Sequence, residues 1–138
     1  VTFGQQRFQI LEITRQAPFL SGVVSWIDDD QIENHDELKQ LSDSVLIALK
    51  DVVSLTAKLT DSERSLPDEL PEMPRELSFW IAAHLGGQVA EEQQYLLEIK
   101  DTSNRLLREY EMLDHTRRQL AARTALKDTL SNADKPNN

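Results

Sequence analysis

Two short segments near the start of the chain have the hydrophobic pattern of extended strands. In residues 6–14, QRFQILEIT, neighbouring positions fall on opposite faces, with Phe8, Ile10 and Glu12 on one face and Leu11 and Ile13 on the other. An interruption at residues 16–18 separates this run from a second extended segment, FLSGVVSWID, at residues 19–28. The two-residue period predicts a two-stranded antiparallel hairpin. Two strands alone are marginal in water, so we expect other elements to contact it.

The pattern changes to a helical period after Asn34. This residue can accept hydrogen bonds from the first free N–H groups of a helix, and Glu37 stands three residues later, as in a capping box. Apolar residues then recur every three or four positions, at Leu38, Leu41, Val45, Leu49, Val52, Leu55 and Leu59. This stripe predicts a helix over residues 35–59. The segment at residues 66–74, LPDELPEMP, predicts a solvated loop.

The segment SFWIAAHLGG, residues 78–87, is apolar nearly all round. Such a composition is typical of a helix that is buried among its neighbours. Pro74 suits the first turn of this helix, and Gly86 or Gly87 suits its C-terminal end, where a left-handed residue is needed. We therefore expect a helix of about three turns here.

Two more helices are predicted in the last third of the chain. One covers residues 89–100, and a capping residue among 101–103 begins a long helix over residues 104–130. The apolar stripe of the long helix consists of Leu106, Tyr110, Leu113, Leu120 and Leu126. Its charge is locally basic, whereas residues 31–76 are acidic. The basic helix could lie against the acidic one or present arginines to a partner. The favoured interpretation is that its charged side chains only face solvent and have no specific role.

Composition narrows the function. The chain has 138 residues, enough for one domain, with a formal net charge of −9, a pI of about 4.7 and no cysteine. This charge disfavours binding to nucleic acid and to anionic membranes. The apolar run at residues 79–85 is far shorter than the roughly 20 residues that span a membrane. The opening residues do not read as a signal peptide, and the lack of cysteine fits a reducing compartment, so we expect a cytoplasmic protein.

Candidate reactive residues have simpler structural explanations. For His84, with no other histidine or cysteine within helical reach, a core or helix-end role is favoured over metal binding. Asp28, Asp29 and Asp30 lack the glycine and distal glutamate of a calcium loop, and a solvated turn at the strand end is favoured. Ser54 and Lys58 lie one helical turn apart, but on the exposed side of the stripe. The sequence therefore predicts no catalytic, cofactor-binding or metal-binding residues and no cofactor.

Several short motifs together resemble a known family. The strand region contains G-x-x-R-F-x-I and P-F-L-x-G-x-V, formed by Gly4, Arg7, Phe8 and Ile10 and by Pro18, Phe19, Leu20, Gly22 and Val24. The helical region contains two more runs, formed by Pro74, Leu77, Ile81, Ala82 and Leu85 and by Gln94, Leu96, Leu97, Glu98, Asp101, Arg105 and Leu106. In this order and separation they resemble the LON substrate-binding domain, the N-terminal domain of the ATP-dependent protease Lon. FWIAAHLGG and LAARTALKDTLS are most similar to free-standing LON-domain proteins of cyanobacteria and plastids.

The resemblance implies a PUA-like β-subdomain joined to a helical bundle. On this basis we expect a mainly α fold, in which residues 1–30 form a remnant β-hairpin, residues 31–130 form the helical subdomain, and residues 131–138 form a disordered tail. The family's earlier strands, which precede the glycine at position 4, are absent from this sequence. We therefore expect the hairpin to be partly uncovered, with an exposed strand edge that can pair with another chain. The resemblance also admits the plastid stroma as a location.

The favoured function is a non-catalytic recognition domain. The resemblance implies that it binds protein or unfolded polypeptide segments, with a role as an adaptor in ATP-dependent proteolysis. The candidate partner-binding residues are Phe19, Val23, Trp26, Phe79 and Trp80, because exposed apolar patches hold extended peptides. An alternative is a structural protein that associates through its long C-terminal helix or through the strand edge. A small hydrolase is a third hypothesis, for which the sequence offers no nucleophile paired with a base.

Overall fold

The chain forms a two-stranded hairpin followed by four helices. A computed structural model describes residues 4–84 and 90–133. The elements in order are β1 (Arg7–Arg15), β2 (Ser21–Ile27), α1 (His35–Thr60), α2 (Pro74–His84), α3 (Ala90–Glu98) and α4 (Thr102–Ala133). The fold is mainly α with an N-terminal hairpin, which confirms the predicted fold class. The predicted helix end at Gly86 or Gly87 lies outside the described residues, and α4 continues three residues past the boundary placed at 130.

Local sequence explains where the long helices begin and end. The side chain of Asn34 accepts a hydrogen bond from the backbone N–H of Glu37 at 3.1 Å, which confirms the predicted cap of α1. Helix α1 ends at Asp61, which adopts a left-handed conformation with φ 48° and donates its N–H to a carbonyl one turn back. At α4, the carboxylate of Asp101 accepts the N–H of Asn104 at 2.8 Å. Short-range signals thus set these boundaries.

Helices α1 and α4 run side by side in the same direction. Asp51 of α1 pairs with Arg117 of α4 at 3.2 Å, and Asp61 just after α1 pairs with Lys127 at 2.8 Å. Residue numbers therefore increase in the same direction along both helices. The favoured interpretation, that the basic side chains of this helix only face solvent, is therefore wrong for Arg117 and Lys127. The acidic first helix attracts them, as the other interpretation proposed.

The core lies between α1, α2 and α4. Its buried apolar side chains are Leu38, Val45, Ala48, Leu49, Leu77, Ile81, Leu106 and Leu113. The predicted stripe of α4 is correct near the start of the helix but wrong at Leu126, which is 65% exposed. Thr124 is buried in its place, and its hydroxyl donates to the carbonyl of Leu120 at 2.8 Å. A threonine can be buried here because its own helix satisfies the hydroxyl.

The two strands pair antiparallel, but their alternation is interrupted. Phe8 lies opposite Trp26 and Ile10 opposite Val24, after which the register shifts by one residue. Directly opposite residues share a face of the sheet, and Ile13 lies opposite Gly22, two residues before Val24. The shift therefore brings Ile13 to the face of Phe8 and Ile10. The predicted faces were wrong at this point, because simple alternation cannot anticipate an extra residue.

Gly22 permits the close approach of the two strands. A Cβ atom at this position would lie 2.5 Å from the backbone oxygen of Glu12, far inside a normal contact. We expect Gly22→Ala to push the strands apart and to raise amide hydrogen exchange in the hairpin about tenfold, with less than about 1 kcal/mol lost from the helical core. Gly4→Ala is the control, since nothing lies within 4 Å of its Cβ position. Equal exchange in the two variants would contradict this role.

Candidate functional site

A buried ion cluster joins the hairpin to the helices. Asp29 follows β2, and its side chain is only 5% exposed. Arg105 of α4 approaches both carboxylate oxygens, at 2.6 and 2.9 Å, and the hydroxyl of Thr102 donates to the carboxylate at 2.6 Å. Arg7 of β1 contacts the same carboxylate. One acid thus connects the first strand, the end of the second strand and the start of the last helix.

The two arginines of this cluster also bind the end of α3. Arg7 donates to the carbonyls of Leu97 at 2.7 Å and Ile99 at 2.8 Å. Arg105, which is fully buried, donates to the carbonyl of Leu96 at 3.2 Å and to that of Ile99. Carbonyls in the last turn of a helix lack partners within the helix, and cations satisfy them well. The cluster therefore fixes α3 as well as the hairpin.

Hydrogen bonding keeps the acid of the cluster ionised. Burial by itself raises the pKa of Asp29, but the hydrogen bonds from Arg105 and Thr102 and the charges of the two arginines outweigh it, so the pKa lies below its ordinary value. Burial also lowers the pKa of Arg7, partly offset by the charge of Asp29. The prediction of a solvated turn at residues 28–30 is wrong for Asp29, because its side chain is buried against Arg105. The sequence pattern could not show this contact, since the two residues are seventy-six positions apart.

Phe79 of α2 lies against the cluster. The guanidinium carbon of Arg105 is 4.0 Å from the centre of its ring, and that of Arg7 is 4.9 Å away. Cations within about 6 Å of an aromatic ring are attracted by its electron-rich face. The ring is half-buried and borders a groove of about 1230 Å³ between β1 and helices α2 and α3. Its position in the groove is therefore well defined.

The hairpin exposes an apolar face. Phe8 and Trp26 meet edge to face with ring centres 6.1 Å apart, and Trp26 is 64% exposed. The other large side chains of this face, Ile10, Ile13 and Val24, are at least 40% exposed. Soluble proteins rarely display a contiguous patch of this kind without a use for it. These five side chains therefore form an exposed apolar face in the part of the chain that the structure describes.

The five candidate partner-binding residues occupy different places. Trp26 lies on the apolar face, whereas Val23 lies opposite Glu12 on the other face of the hairpin. Phe19 is exposed in the loop between the strands, beneath the guanidinium of Arg15. Phe79 borders the groove, and Trp80 packs against the helical core. The five residues therefore do not form one site. Even Phe79 and Trp80, which are neighbours on α2, have different surroundings.

A family model of the ATP-dependent protease La (LON) substrate-binding domain matches residues 1–115. This match covers the hairpin, α1, α2, α3 and the first part of α4. The chain belongs to the LON substrate-binding domain family. It is also 27% identical over 117 residues to Lon protease 2 of Myxococcus xanthus, an alignment that includes 85% of this chain and 14% of that protein. This LON domain therefore spans a small part of that relative's length.

The residues considered for other chemistry hold structural positions in this LON domain. Lys58 pairs with Asp128 at 2.8 Å, and Ser54 is exposed. The ring of His84 stacks on Trp80 with centres 4.1 Å apart, and its Nδ1 lies 2.7 Å from the carbonyl oxygen of the same residue at the end of α2. Within residues 4–84 and 90–133 no three acids or histidines are placed to hold a metal ion. None of the helices described has the length and apolar character to cross a membrane.

Glu109 is a buried acid that the sequence analysis did not single out. It lies one turn after Arg105 on α4, is fully buried, and has no hydrogen-bond partner for either carboxyl oxygen among the described residues. Burial raises its pKa to about 9, although the charge of Arg105 acts in the opposite direction. The side chain is therefore neutral at pH 7. Nothing in the local pattern distinguishes it from Glu111, which is exposed.

Proposed function

We propose that this LON domain binds unfolded or extended protein segments and is the recognition part of Lon-type proteolysis. The exposed apolar face of the hairpin carries this proposal, because native proteins bury the residues that such a face would contact and unfolded chains display them. The hairpin (residues 1–30) supplies the contact surface in this proposal, and the helical part (residues 31–130) supports it. The domain itself performs no catalysis and delivers the segment to a protease.

Rigid support at the base of the hairpin favours this role. The cluster of Asp29 with Arg7 and Arg105 holds both strands where they meet the helices, while Trp26 on the apolar face is exposed. A preorganised surface loses less entropy on binding than one that must first be ordered. The net charge of −9 repels acidic partners, so neutral and basic segments are the preferred ligands.

Assembly through α4 has less support as an alternative function. The apolar residues of α4 that belong to the core, Leu106 and Leu113, already contact helices of the same chain. The large apolar side chains of α4 that are exposed are Leu107, Leu126 and Leu130, and near the last two only alanines, Ala122 and Ala133, extend the apolar surface within the described part of the helix. A coiled-coil seam requires a longer repeat than these residues supply.

Replacing Trp26 tests the proposed function. We expect Trp26→Ser to raise the dissociation constant for fluorescently labelled, unfolded casein about tenfold, because a buried aromatic anchor supplies much of the binding energy at an interface. Leu130→Ser is the matched control, since Leu130 is similarly exposed, at 68% against 64%, but lies on α4. Fluorescence anisotropy gives both constants. Equal constants for the two variants, or equally tight binding of a folded protein, would refute the proposal.

A further inference from the structure

Arg105 is a buried cation whose counter-charge comes from the hairpin side of the domain. Its guanidinium donates to both carboxylate oxygens of Asp29, to the hydroxyl of Ser78 at 3.0 Å, and to the carbonyls of Leu96 and Ile99. The bonds to Ser78 and to the two carbonyls reach α2 and the end of α3, whereas Asp29 follows β2 at the junction with the helical part. If Asp29 moved away with the hairpin, Arg105 would therefore keep its bonds to the helices but lose the carboxylate that balances its charge.

Glu109 is a second acid beside the same cation. It follows Arg105 by four positions on α4, and side chains at this spacing are neighbours on one face of a helix. Both side chains are fully buried, yet neither carboxyl oxygen of Glu109 has a hydrogen-bond partner among the described residues. The two side chains are thus neighbours that do not pair while Asp29 is in place. The core contains a carboxyl group that the native contacts leave unused.

The surroundings of Glu109 leave Arg105 as its partner if it ionises. The buried side chains of α1, α2 and α3 carry no charge; apart from two serines they are apolar. On α4 the other buried acid, Asp114, already pairs with two arginines of its own helix. The charge of Arg105 lowers the pKa of Glu109, against the larger effect of burial. A carboxylate can remain buried only beside an opposite charge, so Arg105 is the group that could stabilise it.

We propose that the domain has a second state, in which the hairpin and Asp29 detach from the helices and Glu109 replaces Asp29 as the carboxylate that pairs with Arg105. In this partner change Glu109 releases its proton to solvent, and only side-chain torsions on α4 need to rotate. The helical core survives because its buried cation keeps a counter-charge. The partner change also explains why an acid without a partner is retained in the core, where it costs stability in the attached state. The inference is independent of the ligand that the domain binds.

Two substitutions, made singly and together, test the partner change. With Asp29 in place, Glu109→Gln should raise the folding equilibrium constant at pH 7 about 300-fold, because folding no longer requires the carboxyl to take up a proton. In the Asp29→Asn chain Glu109 is already ionised and paired, so the same substitution should raise the constant less than about tenfold, or lower it. Arg7 is left without a carboxylate, so Asp29→Asn still destabilises the domain. Urea denaturation gives the constants, and a gain above about tenfold in both chains, or in neither, would overturn the proposal.

A control variant and a spectroscopic signal separate the partner change from a general effect of charge. Glu111→Gln removes an exposed charge from the same helix, so it should alter the folding constant less than about threefold with or without Asp29. Carbon-13 NMR of the Glu109 carboxyl reports its protonation directly. We expect a protonated group in the native chain at pH 7 and an ionised group in Asp29→Asn. A carboxyl that stays protonated in Asp29→Asn would refute the proposal.

Amide hydrogen exchange tests the partner change in chains that retain Asp29, and so does not depend on whether Asp29→Asn folds. In the native chain the amides of the hairpin should exchange faster than those of the helical core, since the hairpin opens separately. Glu109→Gln should make this opening at least about tenfold rarer, because the detached state loses its ion pair. Detachment releases a proton, so opening should increase with pH in the native chain and not in Glu109→Gln. Equal hairpin exchange in the two chains, or a hairpin that opens only together with the core, would contradict the second state.

Discussion

Replacing Glu109 with glutamine should raise the free energy of unfolding at pH 7 by about 3 kcal/mol. In the native state burial raises the pKa of this carboxyl to about 9, from 4.5 in an unfolded chain. At pH 7 this carboxyl is ionised in the unfolded chain, so it must take up a proton when the chain folds. Because pH 7 lies about 2.5 pH units above the unfolded-state pKa, and each unit corresponds to about 1.4 kcal/mol, this proton uptake costs about 3 kcal/mol. Glutamine has nearly the same shape and a similarly unpartnered polar end, so the variant removes the proton uptake and little else. Urea denaturation at pH 7 measures the difference.

The same group predicts the pH dependence of stability. Its folded-state pKa is raised, so its contribution is fully present below pH 4.5 and is lost as the pH rises toward about 9. We expect the free energy of unfolding of the native chain to fall across this range and that of Glu109→Gln to change much less. Glu111→Gln is the control, because it removes the same charge from an exposed position on α4. Parallel pH profiles for the native chain and Glu109→Gln would contradict a neutral buried acid.

Replacing Asp29 with asparagine should have the largest opposite effect, a loss of about 3–5 kcal/mol at pH 7. The amide can still accept a hydrogen bond, but Arg105 is fully buried and Arg7 nearly so, and both would lose their counter-charge. Removing one partner of a buried ion pair is costly because the remaining charge stays away from water. Urea denaturation measures the loss, and amide hydrogen exchange should show that the hairpin loses protection first, since this cluster holds it to the helices.

Asp28 provides the matched control for this substitution. Its side chain is 72% exposed and lies 3.5 Å from Arg75, so Asp28→Asn should cost less than about 1 kcal/mol. The acid dependence gives a second measurement. The pKa of Asp29 is lowered by its partners, so its stabilisation is present above about pH 4 and is lost as the pH falls through its folded-state value. Similar losses for Asp28→Asn and Asp29→Asn would show that the cluster does not hold the fold together.

Regular helices could be predicted from the sequence because their signals are local. The stripe from Leu38 to Leu59 repeats with the helical period, and the cap at Asn34 depends only on groups within one turn. The same is true of the hairpin as an element, though not of its faces. A single extra residue after Ile10 reverses the alternation, and this register depends on the partner strand.

Most of the candidate site could not be predicted in the same way. The apolar residues of the hairpin could be identified, because the sequence shows directly which residues are aromatic or β-branched. The sequence did not show which side chains lie on which face of the hairpin. On α2 it did not show that Trp80 packs against the core while Phe79 borders the groove. Neighbours on a helix point about 100° apart, so their surroundings depend on which helices lie on each side.

The amino-acid sequence by itself determined the mainly α fold class, the hairpin, the major helices and the resemblance that the family match confirms. Only the tertiary structure decided that Asp29 is buried between two arginines and that Glu109 is a neutral acid. Periodicity and capping act within a few residues and can be recognised along the chain. Desolvation and ion pairing depend on groups that are distant in sequence, so they take effect only once the helices have packed.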